Sequence, residues 1–335
     1  MSGLSHKEAF LLPLLAFFLT ALAYPAAIGW LKKLNFGQNV RDDTPEAHRS
    51  KKGTPTMGGL LFIPAALVFG LLADSMGMPQ LMPYVYLLLA FTLGGMTIGF
   101  MDDYLSIRRG KNLGLRAREK FVLQFVLVGA FLFGASFLNE LTDIWMGGPA
   151  IVWSAEIPRL LFLMVFGVWV TNAANIADGL DGLAASQGII ALAGMLSVGY
   201  MLRATTLNFM MFSGVVMIAV LLAFLWFNST PAKVFMGDTG SIALGCFVVG
   251  YGLLLLPFWM VFFATLIWQL EALSVVVQVI YFKLTGGKRI FKMSPIHHHF
   301  ELCGWPETTV TARFIIASFV TAILLPLGLL GWLAR

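Results

Sequence analysis

Apolar stretches long enough to cross a bilayer follow one another along this chain, and they bound the fold before any motif is read. A helix needs roughly 20 apolar residues, at about 1.5 Å rise each, to span a hydrocarbon core. Hydropathy places such stretches at 9–31, 57–73, 83–101, 121–138, 158–177, 183–202, 209–227, 239–257, 258–282 and 312–333. The apolar region 239–282 is too long for one crossing, and Pro257 marks the expected break. Inside lipid every backbone amide needs an internal partner, which helices provide. The sequence therefore predicts an all-α integral membrane protein with ten transmembrane helices, forming a single polytopic domain over residues 1–335. Composition agrees: 12% of residues are charged and 59% hydrophobic, where soluble domains carry about 25% charge. The first span starts near Ala9, is too long for a signal-peptide core and lacks a strongly basic start, so it is expected to stay in the mature protein. Cys246 lies in an apolar span and Cys303 in a polar loop, which is no disulfide framework.

The net charge of +5 is explained by where the basic residues fall. Eighteen lie on one side: Lys32, Lys33, Arg41, Arg49, Lys51 and Lys52 after the first span, Arg108, Arg109, Lys111, Arg116, Arg118 and Lys120 after the third, Lys233 after the seventh, and Lys283, Lys288, Arg289, Lys292 and Arg313 around the last two. Four lie on the other: Lys7, Arg159, Arg203 and Arg335. Positive loops stay in the cytoplasm. Both termini are thus expected to be periplasmic, and the charge signals topology, with no nucleic-acid partner.

Aspartates contribute little to topology, yet Asp102, Asp103, Asp178, Asp181 and Asp238 all fall on the same cytoplasmic side. Asp102 and Asp103 stand where the third span is expected to end. Two acids at a helix C-terminus oppose its dipole unless a cation compensates. They are either a solvated end neutralised by Arg108 and Arg109, or a pair able to hold Mg²⁺ and shift each other's pKa. In "NAANIADGLDG", Asn175, Asp178 and Asp181 recur every three residues and share a face if the helix continues; a capped turn is the alternative. In "NSTPAKVFMGDTGS", Asp238 is placed to cap the eighth span, about 1 kcal/mol. That helix start also suits a diphosphate bridged by Mg²⁺, with Phe235 near enough to stack on a base. "KKGTPTMGG" carries Lys51 and Thr56 at a helix start, as a topogenic cluster or an anion site, and is not a P-loop. His297, His298 and His299 stand together in "MSPIHHHF", an internal run with no partner Cys or His spacing for zinc. Glu271, deep in the ninth span, pairs inside the bundle or faces a lipid groove. Gly95-x-x-x-Gly99 permits close helix packing, within a protomer or between two.

Taken in order, "GTPTMGG", "MDDYL", "NAANIADGLDGL", "FNSTPAKVFMGDTGS" and "MSPIHHHFEL" resemble, over essentially the whole chain, the bacterial phospho-N-acetylmuramoyl-pentapeptide transferases of the polyprenyl-phosphate N-acetylhexosamine-1-phosphate transferase superfamily. The aspartate motifs are superfamily-wide, whereas the histidine motif is specific to this branch. The resemblance implies an inner-membrane enzyme with its active site on the cytoplasmic face. It would transfer phospho-MurNAc-pentapeptide from UDP-MurNAc-pentapeptide to undecaprenyl phosphate, giving lipid I and UMP with Mg²⁺, in the first membrane step of peptidoglycan synthesis. A homodimer is also implied. By the same resemblance Asp238 is the main Mg²⁺ ligand, and Asp102 and Asp103 act on the lipid phosphate. Phe235 stacks on uracil, Lys51 and Asp181 hydrogen-bond the nucleoside, and Thr56, Asn175 and Asp178 line the adjoining pocket. His297, His298 and His299 are read as donors to phosphate or sugar oxygens, with one taking part in proton transfer.

Direct attack by the lipid phosphate is the expected mechanism, with an aspartyl-phosphate at Asp103 as the rival. Ser106 stands where the family pattern often has a basic residue, leaving Arg108, Arg109, Arg118 and Lys120 as candidates to face the phosphates. The sister transferase that uses UDP-N-acetylglucosamine is the alternative within the superfamily. A transporter would instead place its polar groups near the midplane, often in repeated halves, and no such repeat is present here.

Overall fold

A computed structural model describes residues 11–34, 51, 53–77, 82–109, 114–138, 153–202 and 207–333. Lys7, Arg41, Arg49, Lys52, Lys111, Arg203 and Arg335, used above to orient the chain, lie outside the described residues. Regular structure among the described residues is helical: α1 (Leu11–Lys33), α2 (Gly59–Gly77), α3 (Met82–Arg109), α4 (Ala117–Ser136), α5 (Trp153–Ala177), α6 (Leu183–Met201), α7 (Leu207–Asn228), α8 (Gly237–Leu255), α9 (Phe258–Ala264), α10 (Leu266–Leu284), α11 (Ile296–Leu302), α12 (Glu307–Phe319) and α13 (Leu325–Leu333), with a π turn at Val320–Leu324 joining the last two. Eight helices are long and apolar enough to cross a membrane. The apolar parts of α2 and α7, Gly59–Leu72 and Phe212–Asn228, are shorter. Large apolar side chains point outward over most of the bundle, among them Leu22, Val126, Phe133 and Trp226, as a lipid-facing surface requires. The chain is a multi-pass membrane protein.

Helix α8 is the axis of the bundle. Every residue from Thr239 to Leu255 is buried, and a helix that is apolar all round belongs inside. Its most extensive partner is α3, followed by α5 and α2. Small residues make those crossings close. A Cβ at Gly99 would overlap the backbone carbonyl of Asp238, and one at Gly59 would overlap the backbone of Gly240. A Cβ at Gly95 would press on Cys246 Sγ at 2.6 Å. The Gly95-x-x-x-Gly99 spacing therefore serves packing within the protomer, against α8.

Three boundaries differ from the hydropathy reading. Helix α3 does not stop at residue 101 but continues for two more turns to Arg109, so Asp102 and Asp103 sit within the helix and not at its C-terminal end. The chain breaks at Pro257, as expected, and again at Thr265, which isolates the seven-residue α9. Gln269 Nε2 bonds Phe262 O and Thr265 Oγ1 across this second break, satisfying groups freed from the helical ladder. Finally the last span begins at Glu307, earlier than residue 312, because Pro306 starts it.

Candidate active site

The crossing of α3 on α8 at Gly99 sets the site one turn further along. There Asp103, from α3, accepts hydrogen bonds from the backbone N–H groups of Asp238 (3.2 Å) and Thr239 (2.9 Å) and from Thr239 Oγ1 (2.6 Å). The exposed amides at the start of a helix need acceptors, and here a carboxylate from another helix supplies them. Asp238 is thus not the cap of α8; the N-terminal boundary residue is Met236, and Gly237 takes a left-handed φ of 71°. Thr56 packs beside Gly237 and Asp103: a Cβ on Gly237 would lie 2.9 Å from Thr56 Oγ1 and 2.7 Å from Asp103 Oδ2.

Asp238 is consequently free to face the other helices. Its Oδ2 accepts from Lys120 Nζ of α4, and its Oδ1 accepts from Asn175 Nδ2 of α5 at 2.8 Å. Lys120 also donates to Asn175 Oδ1 at 3.2 Å, while Asn175 Nδ2 reaches Ser241 Oγ at 2.8 Å. Of the basic residues the sequence left open, Lys120 is the one at the carboxylates; Arg109 donates to Gly114 O at 2.7 Å instead. The carboxyl of Asp102 neighbours that of Asp238, and its Oδ1 accepts from Leu115 N at 3.1 Å. Gly114 lies against Asp102 with no space for a side chain.

Asn175 lies in the last turn of α5, but the helix ends at Ala177, so Asn175, Asp178 and Asp181 do not share a helical face. Asp178 opens the turn. Burial pushes its carboxyl well above the usual carboxylate range, and the negative charges of Asp238, Asp103 and Asp181 add to that. Asp181 belongs to a second cluster. Its Oδ1 pairs with Lys51 Nζ at 2.7 Å and its Oδ2 accepts from Ala232 N at 2.9 Å. Glu307, which the sequence reading missed, also pairs with Lys51, at 2.6 Å. The partly exposed Phe235 follows, pinned by its backbone: Phe235 N donates to Pro55 O and Gly58 N donates to Phe235 O, both at 2.8 Å.

The three histidines part company. His297 is fully buried, and its Nδ1 pairs with Glu271 Oε2, which answers what the intramembrane Glu271 faces. Gln187 Nε2 donates to Glu271 Oε1 at 3.2 Å. His297 Nε2 abuts Gly179 in the turn after α5, leaving no room there for a side chain. His298 Nδ1 meets Glu301 Oε2 at 2.6 Å, and His299 Nδ1 accepts from Lys292 N at 3.1 Å. Both remain partly exposed.

The site is a ring of oxygen donors with one ammonium against it, sealed on the inner side by an apolar bundle. Among the described residues no three His, Cys, Asp or Glu side chains converge into a ready-made metal cage. Such a set suits a hard cation that keeps waters and takes other ligands from a bound phosphate. Lys120 shows that a cation is favourable at the Asp238 and Asn175 oxygens.

Comparison with known proteins converges on one group. The model of glycosyl transferase family 4 matches residues 85–256, and that of phospho-N-acetylmuramoyl-pentapeptide-transferase signature 1 matches residues 51–63. Phospho-N-acetylmuramoyl-pentapeptide-transferase of Staphylococcus saprophyticus is 40% identical over 319 residues, covering 94% of this chain and 97% of the relative. That of Clostridium kluyveri is 40% identical over 325 residues, 95% and 97% of the two chains, and that of Bacillus subtilis 38% over 314 residues, 93% and 94%. The signature contains Lys51 and Thr56, the longer match contains all five site aspartates, and the identity runs nearly end to end, so the chain belongs to the phospho-N-acetylmuramoyl-pentapeptide-transferase family.

Proposed function

We propose that the protein transfers phospho-MurNAc-pentapeptide from UDP-MurNAc-pentapeptide to undecaprenyl phosphate, releasing UMP and forming lipid I. One observation carries this reading beyond family membership. Asp102 and Asp103, Lys120, Asn175 and Asp238, from four helices, meet where the central apolar helix begins. A lipid acceptor calls for an embedded enzyme, and a soluble nucleotide sugar calls for a site at the membrane's edge. In the reaction an oxygen of the lipid phosphate forms a bond to the sugar-bearing phosphorus, and the bond from that phosphorus to UMP breaks. Two anions must meet, so positioning and charge neutralisation dominate the barrier.

The chain's own groups support direct attack. A phosphate monoester has its second pKa near 6 and needs little help to shed a proton. Both oxygens of Asp103 are engaged in fixing the start of α8, which disfavours an aspartyl-phosphate there. Asp102, whose carboxyl meets that of Asp238 at the edge of the site, would face the acceptor phosphate. Lys120, held by Asp238 and Asn175, supplies positive charge between the anions. Asp238, with Asn175 and Asp102 beside it, has the oxygen donors to hold Mg²⁺, which when bound would neutralise the diphosphate. At the nucleoside end, Lys51 and Asp181 would bond the base, Phe235 would stack on it, and Thr56 and Asp178 would line the pocket. His298 and His299 would donate to phosphate or sugar oxygens, with His297 behind them as a support.

The same reading makes residues 1–335 one catalytic domain of ten spans in the bacterial inner membrane, with periplasmic termini and a homodimeric state. The ends of α2 and α3 support the count. Gly59 begins α2 and Gly99 lies in the second half of α3, and both pack on the start of α8, so α2 must leave the site side for α3 to return to it.

The test is UMP release by the purified protein with undecaprenyl phosphate and Mg²⁺, comparing UDP-MurNAc-pentapeptide with UDP-N-acetylglucosamine. Release from the first alone, reduced at least 10²-fold in Asp238→Asn, is the expected result. Release from the second would move the protein to the sister activity.

A further inference from the structure

Glu307 stands at the first residue of α12, in the stretch "GWPETT", and nothing in the aspartate or histidine motifs points to it. An acid in a first helical turn is ordinarily explained by the helix dipole. Its hydrogen bonds indicate more. Glu307 Oε1 accepts from Lys51 Nζ at 2.6 Å and from the backbone N–H of Asp181 at 2.9 Å. Lys51 in turn donates to Asp181 Oδ1 at 2.7 Å. One carboxylate from the C-terminal part of the chain therefore joins a residue of the first loop to the turn after α5. The three side chains are largely withdrawn from solvent, with relative exposures of 15% for Lys51, 2% for Asp181 and 13% for Glu307. Charge-assisted bonds in such a setting are the strong ones.

A second set of contacts fixes Glu307 itself. Leu180 and Leu183, on either side of Asp181, pack with Val310, Phe300, Trp305 and Phe314. Trp305 stacks on Phe300 at 4.7 Å, and the Arg313 guanidinium covers its ring at 3.9 Å. The start of α12 is thus held against the Asp181 turn by apolar contact as well as by the carboxylate.

The donor count then bears on the base. An ammonium has three N–H groups. Among the described residues Asp181 and Glu307 take two, which leaves one for a ligand. A donor on Lys51 beside an acceptor on Asp181 matches the O4 and N3–H edge of uracil, and it opposes the N4–H and N3 edge of cytosine, where the order is reversed. Without Glu307 the Lys51 ammonium is held by Asp181 from one side only and the Asp181 amide loses its acceptor.

We propose that Glu307 is a positioning residue for the nucleoside half of the reaction, acting through Lys51 and Asp181 to present a donor next to an acceptor to the uracil edge. This rests on the reading of Lys51 and Asp181 as nucleoside-binding groups.

Steady-state kinetics of the purified enzyme test it, with both substrates varied in Glu307→Ala, Glu307→Gln, Lys51→Met and the double variant Lys51→Met/Glu307→Ala. Glu307→Ala is expected to raise KM for UDP-MurNAc-pentapeptide about tenfold, the scale of one lost charged hydrogen bond. KM for undecaprenyl phosphate and kcat should change less than about twofold by the same reasoning, since neither depends on that bond. Glu307→Gln keeps the shape and an acceptor oxygen but not the charge, and should fall between wild type and alanine, so the test stands even where the alanine variant folds poorly. The double variant should fall clearly short of the summed effects of the two single changes, because Glu307 acts in part through Lys51. A fall in kcat with both KM values unchanged, or additive effects in the double variant, would overturn the proposal. If Lys51→Met itself leaves KM for the nucleotide sugar unchanged, the reading of the nucleoside pocket fails and the role of Glu307 fails with it. If Lys51→Met raises that KM and neither Glu307 variant does, only the role of Glu307 fails.

Discussion

Burial raises the carboxyl pKa of Asp178, and among the described residues the charges that act on it most, Asp238, Asp103 and Asp181, are negative and add to that. A carboxyl whose pKa is raised on folding holds its proton more tightly in the folded state. Its contribution to stability is complete below the unfolded pKa of about 4 and is lost as pH rises through the folded value. The apparent melting temperature of the detergent-solubilised protein, in chelator and at one scan rate, should therefore fall as pH rises from 5 toward 8, and Asp178→Asn should flatten that slope. An equal slope in both proteins would show that Asp178 titrates normally. Much at this scale was legible in the sequence: the five aspartates on one side, and Lys51 and Thr56 in their loop. The pairings were not. Lys120 is 118 residues from Asp238 in the chain and was one of four basic candidates, and Glu307 lay inside a stretch that hydropathy assigned to a loop. Only packing of distant helices selects such partners.

At the scale of helices, the crossing of α3 on α8 controls the site. Gly99 lets the helices touch at Asp238, and Asp103, one turn on, then caps the start of α8. Gly99→Ala must push the helices apart against backbone, since the overlapping atom is the Asp238 carbonyl. Overpacking of this kind costs about 1–3 kcal/mol, and misplacing reacting groups by about 1 Å can cost 10²-fold in rate. The expected outcome is a drop in kcat of that order with the protein still folded. Gly29→Ala, where no atom lies within 4 Å of the added carbon, should leave turnover unchanged. Equal activity in the two variants would mean that the crossing does not set the carboxylates. The small-residue spacing was readable as a close approach, but a Gly-x-x-x-Gly pattern does not name its partner helix. The second break at Thr265 was also hidden, because 258–282 reads as one continuous span and lacks a proline.

For the whole molecule, the unequal basic residues and the shared direction of the site aspartates make one claim: the site end of the bundle is cytoplasmic. The native cysteines suit a direct check. Cys246 is buried, whereas Cys303, just past the histidine helix, is exposed. A membrane-impermeant maleimide should label Cys303 in inside-out vesicles and spare it in right-side-out ones. On a Cys303→Ser background the exposed positions Phe137, at the far end of α4, and Met201, at the far end of α6, should as cysteines give the opposite pattern. Helix α7 decides the count, since its apolar part is too short to be counted as a span by length alone. A crossing is the expected outcome, because α6 leaves the site at Leu183 and Asn228, at the end of α7, is back beside Gly182 with Oδ1 3.1 Å from its N. Ser229→Cys should thus react from the same side as Cys303 and the opposite side to Met201→Cys. Labelling of Ser229→Cys and Met201→Cys from one side would remove α7 as a crossing and the ten-helix architecture with it.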